Sequence, residues 1–350
     1  MRWLLRQLGR LGHVLLVAVL SFAAPVAYTE TMCQGEATPT PAPATPLSSE
    51  TRPGIRTLLT YPEWHIVHAY DDYAEVIRTS DPHRFAFRRA IGGYWSSLCT
   101  LTRESATLGE IDTATKQLVY VIGVSFTAEM LMKGLYEETL GRLATALRGP
   151  GRAPLDDLSA EQAARYALFL QQVPWYRYDF RADARALAAA ATEVLRDRER
   201  ALALGLEHRA RAAYAGVIAG AVAATGADDL TLQMVVTGLP PSAFTEVEGV
   251  TLLRETKEGL EIETPRYRAL THILADWAKE GATFLDMAGN DQVMFTALSD
   301  APTAQGALAS LPRQGHGDTR HLFLVAVPEL AETLRGLPLR GLRLEHVHDY

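Results

Sequence analysis

The feature that most restricts this fold is a change of alphabet at Leu230. Before it, apolar residues recur at helical spacing. After it come β-branched runs punctuated by glycine, with short amphipathic stretches between them. A run of helices followed by a mixed region predicts an α+β chain rather than alternating βα units. The expected layout is a basic stub over 1–10, a membrane-anchor helix over 11–28 and a Pro/Thr/Ala-rich linker over 29–54. An all-α helical bundle over 55–228 and a smaller α+β domain over 229–350 complete it.

Segment 11–28 carries no formal charge and follows Arg2, Arg6 and Arg10. Its length lies at the short end of the roughly 17–25 residues that span a bilayer as a helix. A cleaved signal sequence shares the basic start and apolar middle. Here, however, Pro25 follows closely on Ser21-Phe22-Ala23, and Pro25-Val26-Ala27 puts proline where cleavage wants a small residue. An uncleaved anchor is therefore favoured. Arginines on the leading side only place the body outside the cytoplasm by the positive-inside bias. The expectation is a single-pass protein of a bacterial inner membrane with its body in the periplasm. Pro39, Pro41, Pro43, Pro46 and Pro53 make the next segment a semi-rigid, extended spacer.

The net charge of −7 and apolar fraction of 48% exclude a general nucleic-acid footprint and a disordered body. Cys33 falls in the spacer and Cys99 in a predicted helix, which favours two unpaired thiols over a bridge.

Helices are expected over 62–80, over 81–103 with Asp81-Pro82 as its start, and over 112–147. The last is apolar nearly all round between Leu118 and Met132, which marks a central bundle helix. Glu129 and Lys133 interrupt it before a full membrane span and are spaced to pair with one another. Ser159 to Gln162 resembles a capping box opening a helix to Val173. An aromatic loop over 175–180 then precedes helices over 182–205 and 209–225. Strands are expected at 231–237, as a hairpin of 250–256 with 260–264, and as a second hairpin of 284–288 with 292–298 around Gly289-Asn290-Asp291. Helix 267–280 lies between these hairpins, and strand, helix and strand over 321–348 end the chain. That order suggests one ferredoxin-like sheet. No internal repeat is visible.

Candidate chemistry is sparse. His65, His68 and Asp72 share one face of the first helix, and two imidazoles with a carboxylate can hold Zn²⁺ or a similar divalent metal. Glu104 and Glu138 are possible fourth ligands. At 100° per residue this trio lies opposite Ile66, Tyr70, Tyr73 and Ile77, so it is solvated unless another segment covers it. His346 and His348 alternate on a strand and point the same way; with His321 or His316 they form a second possible metal set, although a polar sheet face is favoured. Glu137-Glu138 reads as ordinary surface charge. Trp175, Tyr176, Arg177 and Tyr178 offer contact area for a glycan, peptide or lipid headgroup, against the plainer expectation of a loop folded onto the bundle. No nucleophile elbow, phosphate loop, dinucleotide fingerprint or zinc-type cysteine pair is present.

The runs 59–72 (Leu-Thr-Tyr-Pro-Glu-Trp-His-Ile-Val-His-Ala-Tyr-Asp-Asp), 93–99 (Gly-Tyr-Trp-Ser-Ser-Leu-Cys), 133–139 (Lys-Gly-Leu-Tyr-Glu-Glu-Thr) and 263–268 (Glu-Thr-Pro-Arg-Tyr-Arg) resemble those of an uncharacterised family of bacterial membrane-anchored proteins. The resemblance implies no activity, cofactor or catalytic residue. The expected function is a non-enzymatic binding or assembly module without a cofactor. Its partners would be the inner membrane and an envelope protein or glycan, with no nucleic acid. The alternative is a metal-dependent hydrolase using His65, His68 and Asp72.

Overall fold

A computed structural model describes residues 19–36, 46–225 and 230–350. The stub, residues 11–18 of the anchor and residues 37–45 of the spacer lie outside the described residues. The chain is α+β, as expected.

Helix α1 covers 19–32. The bundle follows as α2 (Arg56–Leu59), α3 (Tyr61–Thr79), α4 (Phe87–Ser105), α5 (Thr113–Tyr136), α6 (Arg142–Arg148), α7 (Pro154–Leu170), α8 (Phe180–Ala190) and α9 (Leu195–Thr225). Tyr70, Tyr73, Phe87, Tyr94, Phe126, Met130, Tyr166 and Phe180 fill its centre. Gly123 and Gly134 let α5 sit directly on the rings of Tyr94 and Phe87.

Several predicted boundaries shift for identifiable reasons. Pro82 starts only one turn of 3₁₀ helix, and α4 opens later at Phe87. The Asp81 carboxylate is taken instead by Arg148, 2.9 Å away. Helix α7 begins five residues before the predicted capping box, at Pro154, because Asp156 reaches back to the Ala153 amide at 3.0 Å. The long helix of 112–147 is interrupted by a π-helical turn, Glu137–Gly141. That turn overturns the expectation of surface charge at Glu137, which is buried and held by both ends of the Arg200 guanidinium at 2.8 and 2.9 Å. Glu138 remains exposed. Glu129 and Lys133 do not pair with each other. They reach across to α9, Glu129 to Arg211 and Lys133 to Glu207.

Cys33 and Cys99 form a disulfide with Cα atoms 5.0 Å apart, so the expectation of two free thiols is wrong. The segment carrying Cys33 is helical to residue 32 and ends against α4, where the Arg103 guanidinium donates to the Met32 carbonyl at 2.8 Å. The end of the spacer is also engaged. The Leu47 amide donates to Asp286 at 3.1 Å, and the amide and hydroxyl of Ser49 donate to Glu261 at 2.5 and 2.6 Å.

The second half contains β1 (Thr231–Thr237), α10 (Ser242–Thr245), β2 (Thr251–Glu255), β3 (Leu260–Pro265), α11 (Tyr267–Glu280) and β4 (Thr283–Met287). Then come β5 (Gln292–Ser299), β6 (Ala309–Pro312), β7 (Thr319–Ala326), α12 (Val327–Gly336) and β8 (Arg343–His348). These make two four-stranded antiparallel sheets, ordered β2-β3-β1-β4 and β6-β7-β5-β8, in place of the single sheet expected. The two orders are the same, so the half is a tandem repeat of topology that the sequence hides. Its second unit has no helix between its first two strands. Helix α12 packs on β4 of the first sheet and α11 on β8 of the second, which merges both into one apolar core around Ile262, Trp277, Phe284, Phe295 and Val347. The hairpin predicted around Gly289 is instead the junction between the sheets, reduced to a single bridge, Met287 with Asn290. The β2–β3 hairpin forms as predicted, but Gly259 serves close approach rather than positive φ: a Cβ there would lie 2.6 Å from the Val236 carbonyl oxygen.

Candidate functional site

Residues 61, 64, 68 and 72 recur every three or four positions along α3, opposite the face that α3 gives to the bundle. The second sheet covers them. Tyr61, Trp64, His68 and Asp72 are buried there, and neighbouring His65 is buried on the bundle side, against α4 and α5. On the other side of the seam, β8 contributes three polar residues because it bulges: Thr296 pairs with His346 but Ala297 pairs with Leu344, leaving Glu345 as the extra residue. Strand alternation turns His346 and His348 the same way, as predicted, and the bulge turns Glu345 toward α3 as well.

The seam is joined by rings and charges. His346 lies on the Trp64 ring with centroids 3.5 Å apart, and its Nδ1 meets the Thr271 hydroxyl at 3.0 Å. His348 stands edge-on to Tyr61 at 5.4 Å, and neither of its nitrogens has a hydrogen-bond partner. The Arg320 guanidinium donates twice to Glu345, at 2.5 and 2.7 Å, and Oε1, the oxygen of the longer bond, also lies 3.8 Å from His68 Nδ1. His65 turns away: its Nε2 meets the Ala90 carbonyl at 2.9 Å. The His65 ring lies flat on Gly93, where a Cβ would come within 2.6 Å of Cε1. Gly93→Ala is therefore expected to cost about 1–3 kcal/mol by forcing the ring off its seat. Urea denaturation of the variant checks this, and an unchanged midpoint would refute the packing.

Burial holds these histidines neutral. It lowers His65 to about 4 and His346 to about 3, and pushes His68 and His348 well below the usual imidazole range. Burial raises the Asp72 carboxyl to about 6, against the lowering charge of Arg320 and the hydrogen bond from the Gln314 amide at 2.9 Å.

The structure thus gathers His68, Asp72, His346 and His348 at one seam, aims His68 and Asp72 at different partners, and turns His65 into the bundle. Among the described residues, Asp71, Asp72 and His316 are the group whose ligand atoms converge. The Arg313 guanidinium already occupies that place, 3.0 Å from Asp71 and 3.9 Å from Asp72. His316 sits 3.4 Å from Asp71, and His321 is fixed between Ser299 and Ser310 at 2.9 Å each, so neither joins His346 and His348. Glu138 is exposed, away from the seam. Sequence reasoning missed Arg313, Arg320 and Glu345. No local signal marked them: β7 and β8 carry several polar residues each, and Arg313 lies in the loop between β6 and β7.

The aromatic loop folds onto the bundle. Trp175 meets Tyr214 at 5.3 Å, Tyr178 meets Tyr166 at 4.9 Å, and the Tyr178 hydroxyl donates to Asp183 at 2.8 Å. Arg177 lies over the Tyr176 ring. A bundle cavity lined by Tyr70, Lys133, Gln162, Glu207, His208 and Arg211 measures about 40 Å³, far too small for an organic ligand. Comparison with protein-family models, with curated proteins and with solved structures finds no match for this chain.

Proposed function

We propose that this chain is a membrane-anchored, extracytoplasmic binding or assembly module of a bacterial inner membrane, with two ferredoxin-like units in tandem as its second half. Its partner is an envelope component, protein or glycan, and no nucleic acid is involved. One observation carries the reading: the chemistry-bearing side chains face inward and join the halves, whereas the distinctive outer surface is apolar. Leu118, Val121, Met132, Leu135, Leu143 and Leu147 stand exposed along α5 and α6. Patches of this kind mark protein–protein or membrane interaction sites.

Two measurements test it. A reporter fused after Tyr350 is expected to be active only outside the cytoplasm; cytoplasmic activity would remove the setting. Metal analysis of the full chain separates the module from a metal-dependent hydrolase. Stoichiometric Zn, Mn or Fe that disappears in the His65→Ala, His68→Ala double variant would overturn the module reading.

A further inference from the structure

Helix α5 is apolar around its whole circumference, a pattern that ordinarily belongs to a helix buried on all sides. Here the inner flank is packed through Val119, Phe126 and Met130, while Met132 is 68% and Leu135 70% exposed on the outer flank. Among the described residues, Thr113–Arg148 is the one helical stretch long and apolar enough to cross a membrane, and only a third of it is buried. Its two inner charges, Glu129 and Lys133, are turned away and paired with α9. Over 117–137, about 30 Å at 1.5 Å per residue, the most exposed charge is Glu129, held by Arg211, and exposed Glu138 and Arg142 end the uncharged stretch. Helix α9 runs antiparallel beside it, as Lys133–Glu207 and Glu137–Arg200 show, and extends the surface with exposed Leu202, Leu206 and Val217.

Helix α1 ends beside the start of α5. Its last turn is fixed there: Glu30 accepts from Tyr120 at 2.7 Å and from Lys116 at 3.4 Å, and the next residue but two, Cys33, is bonded to Cys99 of α4. Exposed Arg142 and Arg209 border the apolar strip, where they suit anionic headgroups. We propose that the outer flank of α5, α6 and α9 lies along a lipid bilayer, so that the body rests on the membrane rather than hanging clear of it. This rests on the anchor reading above. The helices do not span: their inner flanks are the bundle core, and the face dips into the interfacial layer as an amphipathic surface does.

The test uses the full chain reconstituted in vesicles of three parts phosphatidylcholine to one part phosphatidylglycerol that contain a photoactivatable phospholipid. Labelled peptides are expected from 11–27 and also from 113–148 and 195–217. In the Met132→Glu, Leu135→Glu variant, label in 113–148 is expected to fall about tenfold or more, because an acidic side chain is costly in lipid, while label in 11–27 and thermal melting stay unchanged. Label confined to 11–27 would overturn the docking and leave the anchor intact; no label anywhere would overturn both. A stable dimer with 113–148 unlabelled would give the face to a second copy and overturn the proposal.

Discussion

Acidification from about pH 7.5 to about pH 5 is expected to destabilise this protein by on the order of 6 kcal/mol. His68, His346 and His348 at the seam and His65 beside it in the bundle are held neutral, so their folded pKa values lie below the unfolded value near 6.5, and His208, lowered to about 4, adds to the same loss. Below that value the unfolded chain binds protons that the folded chain refuses. The stabilisation is complete above pH 6.5 and is lost as the pH falls toward the folded values. Each histidine contributes about 1.4 kcal/mol per pH unit, or roughly 2 kcal/mol by pH 5. Asp72 works in the opposite sense: raised to about 6, it takes up a proton in the folded state that the unfolded carboxyl would not hold until about pH 4. One carboxyl offsets only part of these imidazoles. Arg313 and Arg320, which face the same seam, lower His68 further, and His272 lowers His346. The net loss is comparable to the whole stability of an ordinary domain. Urea midpoints at stepped pH check this, and a flat profile from pH 7.5 to 5 would contradict the assignment of neutral, buried imidazoles.

Glu345→Ala is expected to be the most damaging single substitution, at about 3–5 kcal/mol. It leaves the Arg320 guanidinium, only 3% exposed, inside the seam without its bidentate carboxylate. A buried ion pair adds little net stability over an apolar pair, because desolvation cancels most of the attraction. The paired replacement Arg320→Leu, Glu345→Leu is therefore expected to recover most of the loss. Comparing the two variants separates the cost of an orphaned charge from the worth of the pair. A Glu345→Ala variant within 1 kcal/mol of the parent would show that Arg320 finds another partner or reaches solvent.

Much of the site was legible in local terms. The phase of α3 put His68 and Asp72 on one face but misplaced His65, which turns into the bundle against Tyr94 and Phe126, and strand alternation set His346 beside His348. Missing was the knowledge that one set covers the other, since residues about 280 positions apart in the chain meet only once both halves have folded. Two local irregularities were also invisible. The π turn at Glu137–Gly141 rotates one of two adjacent glutamates inward, and the bulge at Glu345 adds a residue to a strand without changing its alternating pattern. Both are responses to long-range partners, Arg200 and Arg320, rather than consequences of the nearby sequence. The repeat in the second half escaped notice because strand order is a property of pairing, and its two units share no obvious residue pattern.

The bond between Cys33 and Cys99 decides which part of the chain acts as the leash. While it is closed, the stand-off between α1 and the bundle is fixed at the sulfur atoms, and lengthening the proline-rich run would not let the bundle drift away. A reducing agent would leave that attachment to the hydrogen bonds of Glu30 with Tyr120 and Lys116 and of Arg103 with Met32.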